Sequence, residues 1–208
     1  MKSLDVCEIF YSLQGESSYM GMPCAFVRLA GCNLRCSYCD TAYSHSSGKL
    51  MPLPEIIQQI SDYPTNLVEI TGGEPLYQEH TPELIMMLLQ KKYKVLIETN
   101  GSLCLKALPK ELIKIVDVKC PGSGMGDSFL LQNLSYLSKH DELKFVLSDY
   151  RDYVFARDFI TKHAPQVSAI HFSPVNPVLK PELLADWLLK DGLQVKLSLQ
   201  LHRILNLR

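Results

Sequence analysis

The sequence predicts an α/β protein whose mainly parallel sheet curls into a partial, open TIM-like (β/α)6 barrel. Two observations carry that expectation. Short runs rich in Val and Ile, bounded by Gly or Pro, alternate with segments of helical period. Parallel neighbours need a crossover of helical size, and the segments between the runs supply it. Length sets the number of units: a closed eight-unit barrel typically takes about 250 residues, and the 208 present leave room for about six units. A doubly wound open sheet is the alternative reading of the same alternation.

In chain order, the expected strands are 25–29, 67–71, 94–99, 115–118, 144–147, 169–172 and 194–201. Expected helices lie between them. The segment 53–60 carries Ile56, Ile57 and Ile60 on one face, and 81–92 has Thr81 as N-cap, Pro82 at the first helical position and Glu83 in the first turn. Further helices are expected at 108–114, 128–139, 150–163 and 180–190. The stretch 120–127, Cys-Pro-Gly-Ser-Gly-Met-Gly-Asp, holds three glycines and a proline and reads as a loop after a strand. Loops at the C-terminal ends of strands are where barrel enzymes build their sites. With 47% hydrophobic residues and no internal repeat, 1–208 is expected to be a single domain.

A net charge of −1 leaves no electrostatic footprint for wrapping nucleic acid. Asp5 interrupts the place where a signal peptide needs an apolar run, and no stretch approaches 18 apolar residues, so no membrane segment is expected. Seven cysteines is an odd number for a disulfide framework, and their clustering suits a metal site in a reducing compartment, the cytoplasm.

Three of those cysteines stand in Gly31-Cys-Asn-Leu-Arg-Cys-Ser-Tyr-Cys-Asp-Thr41. Four thiolates would close a tetrahedral zinc site or fill every corner of a cubane cluster, whereas three leave one metal position open to another ligand. Structural zinc would need a fourth ligand, for which Cys24, Asp40 or His45 could be proposed, but no second CxxC or HxxxH is present. The second signal is Thr71-Gly-Gly-Glu-Pro75 at the end of an expected strand, where adjacent glycines let a ligand approach the backbone closely. Taken alone, it also reads as an ordinary strand-to-helix turn.

Together, the cysteine spacing and the Gly-Gly-Glu string resemble the radical S-adenosylmethionine superfamily. The ordered set Glu8-Ile-Phe-Tyr-Ser-Leu-Gln-Gly-Glu16, Phe26-Val-Arg-Leu-Ala-Gly-Cys32 and Cys39-Asp-Thr41 further resembles the 7-carboxy-7-deazaguanine synthase family of queuosine biosynthesis. The resemblance implies a [4Fe-4S] cluster on Cys32, Cys36 and Cys39, whose open iron binds the amino and carboxylate groups of S-adenosylmethionine. It implies a lyase in which a 5′-deoxyadenosyl radical takes a hydrogen from C6 of 6-carboxy-5,6,7,8-tetrahydropterin, and the ring contracts to 7-carboxy-7-deazaguanine with loss of ammonia. Iron–sulfur centres reach potentials of about −700 mV, low enough to deliver the electron that cleaves a sulfonium.

Residue by residue, the resemblance assigns S-adenosylmethionine contacts to Tyr38, Cys39, Asp40, Gly73, Asp117, Val118, Lys119, Ser173, Pro174, Val175 and Asn176. Substrate contacts fall on Leu13, Gln14, Gly15, Arg28, Thr71 and Arg208, and Mg²⁺ on Thr41. Arginine suits a carboxylate, and a lone hydroxyl suits Mg²⁺ when substrate oxygens and waters complete its shell. Read without the family, Thr41 is a helix N-cap. Ser17 and Arg203 depart from the family's common glycine and lysine. Cys7, Cys24, Cys104 and Cys120 are expected to be small buried residues, and His171 a core or rim histidine. The resemblance also implies a flavodoxin or ferredoxin as electron donor and a homodimer. Two alternatives share the cysteines: a glycyl-radical enzyme activating protein, and a zinc-stabilised binding module without catalytic activity.

Overall fold

The computed structural model describes residues 2–46 and 48–207. Among these, one sheet contains β1 (Ser3–Leu13), β2 (Pro23–Leu29), β3 (Lys49–Pro52), β4 (Leu67–Gly72), β5 (Lys94–Thr99), β6 (Ile113–Asp117), β7 (Glu142–Leu147), β8 (Ala169–Pro174) and β9 (Lys196–Leu197). Their order is β3-β1-β2-β4-β5-β6-β7-β8-β9. β1 is antiparallel to both β2 and β3, and every neighbouring pair from β2 to β9 is parallel. Because β3 and β9 end the sheet without pairing to each other, the barrel is open, as expected.

The helices are α1 (Leu53–Ser61), α2 (Thr81–Gln90), α3 (Tyr150–His163), α4 (Pro181–Asp191) and the single turn α5 (Leu201–Ile204). α1 buries Leu53, Ile56, Ile57 and Ile60, the apolar face read from its spacing. α3 starts where the Asp149 carboxylate accepts from the Asp152 N–H, and α4 ends at Gly192, whose φ of 61° is a left-handed cap. α2 begins one residue earlier than expected. His80 is its cap residue, while the Thr81 hydroxyl donates to Pro75 O at 2.6 Å and ties the helix to the loop after β4.

Four other expectations are corrected. The segment 108–114 is no helix: Leu112 N–H donates to Pro109 O in a turn, β6 begins at Ile113, and buried Lys114 reaches Asp141 at 3.2 Å. Leu105, Leu108 and Leu112 are nevertheless buried in the helix-side core, filling the space of a crossover helix without forming one. In place of the helix at 128–139 stands a 3-10 helix, Leu131–Tyr136, whose buried Asn133 donates to Gly101 O and Leu103 O. The strand expected at 194–201 pairs only at Lys196–Leu197 before the chain turns into α5. β1 and β3 were not expected. A register shift between Val6 and Glu8 interrupts the alternation of β1, and β3 has only four residues.

The two faces of the sheet differ. Toward the helices, Val68, Ile70, Val95, Ile97, Val116, Leu143, Phe145, Leu147 and Phe172 join residues of α1 to α4 in one apolar cluster. On the opposite face a smaller cluster, with Phe10, Phe26, Leu67, Leu96, Ile113 and Ile115, makes a floor. Since side chains alternate along a strand, positions two residues beyond Leu67, Leu96 and Ile115 share that floor's face. They are Glu69, Glu98 and Asp117.

Candidate active site

Above this floor, at the C-terminal ends of the parallel strands, lies a cavity of about 230 Å³. It is lined by all three motif cysteines and by Leu13, Gln14, Gly15, Arg28, Tyr38, Asp40, Thr41, Thr71, Gly73, Asp117, Lys119, Val175 and Asn176. Of the other expected site residues, Val118 is packed in the helix-side core, Ser173 and Pro174 are buried in β8 outside the lining, and Arg208 lies outside the described residues.

The cysteine loop leaves β2 through Gly31, at φ 87°, whose N–H donates to Ser44 O at 2.7 Å. The loop runs on into β3 rather than directly into a helix. Thr41 does hold the N-cap position of the 3-10 helix Ala42–His45, yet its side chain makes no capping bond. Its hydroxyl lies 3.8 Å from Cys39 Sγ and lines the cavity. The loop's middle is held from outside. Ser37 N–H donates to Ser123 O and the Ser37 hydroxyl to Gly122 O, each at 2.9 Å; Gly122 N–H donates in turn to Asp152 of α3 at 2.8 Å. Asp152 is fully buried and also accepts from Ser148 N–H and hydroxyl. Tyr38 OH donates to Val146 O at 3.0 Å, and burial raises its pKa, which keeps it a neutral donor.

The two glycines where β4 ends have separate reasons. Gly72, at φ 145°, lies against the Leu29 backbone, and a Cβ on Gly73 would collide with Gly31 O and come within 2.7 Å of Cys32 Cβ. Their smallness therefore lets β4 press on the cysteine loop. Buried Glu74 fastens the next strand to this corner by accepting from Asn100 N–H at 2.7 Å, Thr99 hydroxyl at 2.8 Å and Leu76 N–H at 3.0 Å.

The donor set fits an iron–sulfur cluster. Cys32, Cys36 and Cys39 are part-exposed and share one cavity, with Gly73 opening the space beside Cys32. Burial pushes the thiols of Cys32 and Cys36 up while the Lys119 ammonium pulls them down, so binding iron there would release protons. Among the described residues no three His, Cys, Asp or Glu side chains converge on one ion. A cubane cluster does not require such convergence, since each of its cysteines holds a different iron. Of the remaining cysteines, Cys24 and Cys120 are buried as expected, Cys7 is half-buried, and Cys104 is exposed, contrary to expectation.

Sequence reasoning missed the cavity's charged interior. Lys144 of β7 pairs with Glu16 and, at 2.7 Å, with Glu98 of β5; the ammonium is buried and the two carboxylates are half-buried. Burial alone would depress the Lys144 pKa, and these carboxylates lift it well above the usual lysine value. Glu69 of β4 accepts from the Gln14 amide. On the rim, Arg28 Nε donates to Glu8 at 2.8 Å, and Lys119 holds Asp117 at 2.7 Å. The tail after β9 closes one side: Leu201 N–H donates to Gly15 O, the His202 ring lies against Gly15, Gln200 meets Glu16 at 2.8 Å, and Arg203 meets Asp40 at 3.0 Å. Ser17 takes φ 61°, the left-handed region that favours glycine. His171 proves to be a core residue, 2.9 Å from Glu142. A signal for the charged interior was present. Glu69, Glu98 and Lys144 occupy alternate positions of strands that are otherwise apolar.

Comparison with known proteins bears on the whole chain. The radical SAM superfamily model matches residues 27–119. The 7-carboxy-7-deazaguanine synthase of Koribacter versatilis is 47% identical over 97% of this chain and 96% of its own. The synthase of that name from Chlorobaculum tepidum is 41% identical over 96% and 93%. Among solved structures, QueE from Escherichia coli superposes with a TM-score of 0.80 at 22% identity, covering 96% of this chain and 95% of its own, and shares the fold. Identity at this level, over this much of both chains, puts the chain in the 7-carboxy-7-deazaguanine synthase family of the radical S-adenosylmethionine superfamily.

Proposed function

We propose that this chain, as one domain, converts 6-carboxy-5,6,7,8-tetrahydropterin to 7-carboxy-7-deazaguanine and ammonia, the product being the one its relatives' name gives. A [4Fe-4S] cluster and S-adenosylmethionine, when bound, supply the radical that starts the reaction. Cys32, Cys36 and Cys39 hold the cluster. Tyr38, Asp40, Gly73, Lys119, Val175 and Asn176 face S-adenosylmethionine, and Asp117 fixes Lys119. Arg28 takes the substrate carboxylate, with Nε already committed to Glu8 and the guanidinium lying over the Phe10 and Tyr43 rings. Leu13, Gln14, Gly15 and Thr71 meet the pterin. Thr41 contributes one oxygen to Mg²⁺, the substrate and water giving the rest.

The observation that carries this reading is the convergence of the three thiols, Gly73, Gln14, Arg28 and Thr71 on one cavity. Water exclusion follows from the same geometry, since the stacked Phe10 and Phe26 rings, 4.8 Å apart, belong to the apolar cluster below. We further propose a flavodoxin or ferredoxin as reductant, a homodimeric assembly and a cytoplasmic location. Among the described residues no helix is long and apolar enough to cross a membrane. The test is anaerobic cluster reconstitution followed by incubation with carboxytetrahydropterin, S-adenosylmethionine, Mg²⁺ and dithionite. Mass spectrometry is expected to find 7-carboxy-7-deazaguanine and stoichiometric ammonia; a reduced, cluster-loaded protein that forms neither refutes the proposal.

A further inference from the structure

Five carboxyl groups line the cavity, and four have a cation. Glu16 and Glu98 share Lys144, Asp117 holds Lys119, and Asp40 meets Arg203. Glu69 stands apart. Although only 2% exposed, it has no cation within ion-pair distance among the described residues, and its side-chain partner is the neutral amide of Gln14. Across the ladder it is flanked by Phe26 of β2 and Leu96 of β5, both part of the apolar floor. Its free hydrogen-bonding capacity therefore serves the cavity. Two residues further along β4, roughly 7 Å at the strand repeat, Thr71 lies beside Arg28.

Leaving a buried carboxyl without a cation is costly unless something else completes its hydrogen bonds. Here a ligand can do so. A carboxyl group meets an amino group and its neighbouring ring nitrogen with two parallel hydrogen bonds in either protonation state. Ionised, it accepts from the amino group and a ring N–H; neutral, it accepts from the amino group and donates to an unprotonated ring nitrogen. The groups facing it are Gln14, Glu16, Glu98, Lys144 and Arg28; burial first, then Glu98 and Glu16, favours the neutral form, against Lys144 and Arg28. A two-ring heterocycle whose amino edge sits at Glu69 extends toward the level of Thr71 and Arg28, where its carboxylate would be met.

We infer that Glu69, with Gln14 beside it, is a specificity-determining residue that reads the 2-amino edge of the bound heterocycle and selects against counterparts lacking the amino group. The inference rests on the substrate class proposed above.

The test compares two ligands on the cluster-loaded holoenzyme with S-adenosylmethionine, by anaerobic calorimetry. They are 7-carboxy-7-deazaguanine and 7-carboxy-7-deazahypoxanthine, in which hydrogen replaces the 2-amino group. The unaltered protein is expected to prefer the first by about 100-fold, the effect of leaving one buried polar group unpaired. In Glu69→Leu, and in Glu69→Met as the alternative should the first fail to fold, the preference falls to within about threefold. Glu69→Gln, which still donates and accepts side by side, restores most of it. A ratio between ligands is not moved by general loosening of the site. An unaltered preference in the Leu or Met variant overturns the Glu69 assignment while leaving the reaction intact. Absence of deazapurine from carboxytetrahydropterin in the unaltered holoenzyme overturns the substrate reading and this inference with it.

Discussion

The helix-covered face of the sheet and its cavity face come from the same strands, yet one carries Val68, Ile70, Val95, Ile97 and Phe145 and the other Glu69, Glu98 and Lys144. On the first face these apolar side chains are satisfied by contact alone. On the second, Glu98 and Lys144 are tolerated because each finds a counter-charge, such pairs adding little net stability once their desolvation is counted, while Glu69 has only the Gln14 amide. Stability and function have thus been assigned to opposite sides of one pleat, where alternation lets each be changed without touching the other.

Four changes test that division, from the largest expected effect to the smallest. Cys36→Ala is expected to abolish the cluster's iron content and reduced EPR signal and to lower turnover by about a thousandfold, because radical generation is the cofactor's contribution. Its unfolding free energy should move by less than about 0.5 kcal/mol, as for other loop substitutions; a large stability loss would break the division. Phe145→Ala reverses the pattern. This ring is fully buried against Phe159 and Phe172, and its removal should cost about 3–5 kcal/mol in urea melts while the surviving folded fraction keeps its KM for S-adenosylmethionine.

Gly73→Ala sits where the faces meet the cysteine loop. The new methyl would collide with Gly31 O and Cys32 Cβ, so a cost of about 1–3 kcal/mol and a reduced iron-to-protein ratio are expected together. Iron analysis and melting on one preparation check both. Glu69→Gln acts through pH. Burial, followed by the charges of Glu98 and Glu16, raises the Glu69 pKa above the ordinary glutamate range, so the folded protein keeps a proton the unfolded chain gives up. Stability from this group falls as pH rises from the ordinary range toward the raised value. The glutamine variant therefore gains on the parent over that window by up to about 1.4 kcal/mol per pH unit, and equals it near pH 4. Urea melts at pH 4, 6 and 8 measure the difference; parallel curves would show that folding leaves the Glu69 pKa unshifted.

Much of the fold was legible because its strands are short, apolar and punctuated by Gly or Pro. β5 and α3 were read to the residue. What escaped was structure set by tertiary context. The bulge in β1 hides its period, and the crossover before β6 buries Leu105, Leu108 and Leu112 from a chain of turns whose spacing imitates a helix. The cysteines were legible from their spacing, and Gly73 through the family resemblance that its string carries. Glu98 and Lys144 stood out as charges in apolar strands, but neither they nor Glu16 could be assigned until the fold brought the counter-charges together. Asp152 was invisible for a related reason: apart from the Ser148 hydroxyl, its carboxylate meets backbone N–H groups, which nearly every residue has.

The Asp152 relay bears on how the protein would live with oxygen. In domains nucleated by their metal, losing the ion means unfolding, and the ligands scatter. Here the tether runs from α3 through Gly122 and Ser123 to Ser37, so the segment between the second and third cysteines is anchored by the scaffold and needs no iron to hold its place. A cluster destroyed by oxidation would leave behind a folded receptacle that is ready for refilling. On that arrangement the chain would serve as a reusable mould for its cofactor, and repair would cost a new cluster rather than a new protein.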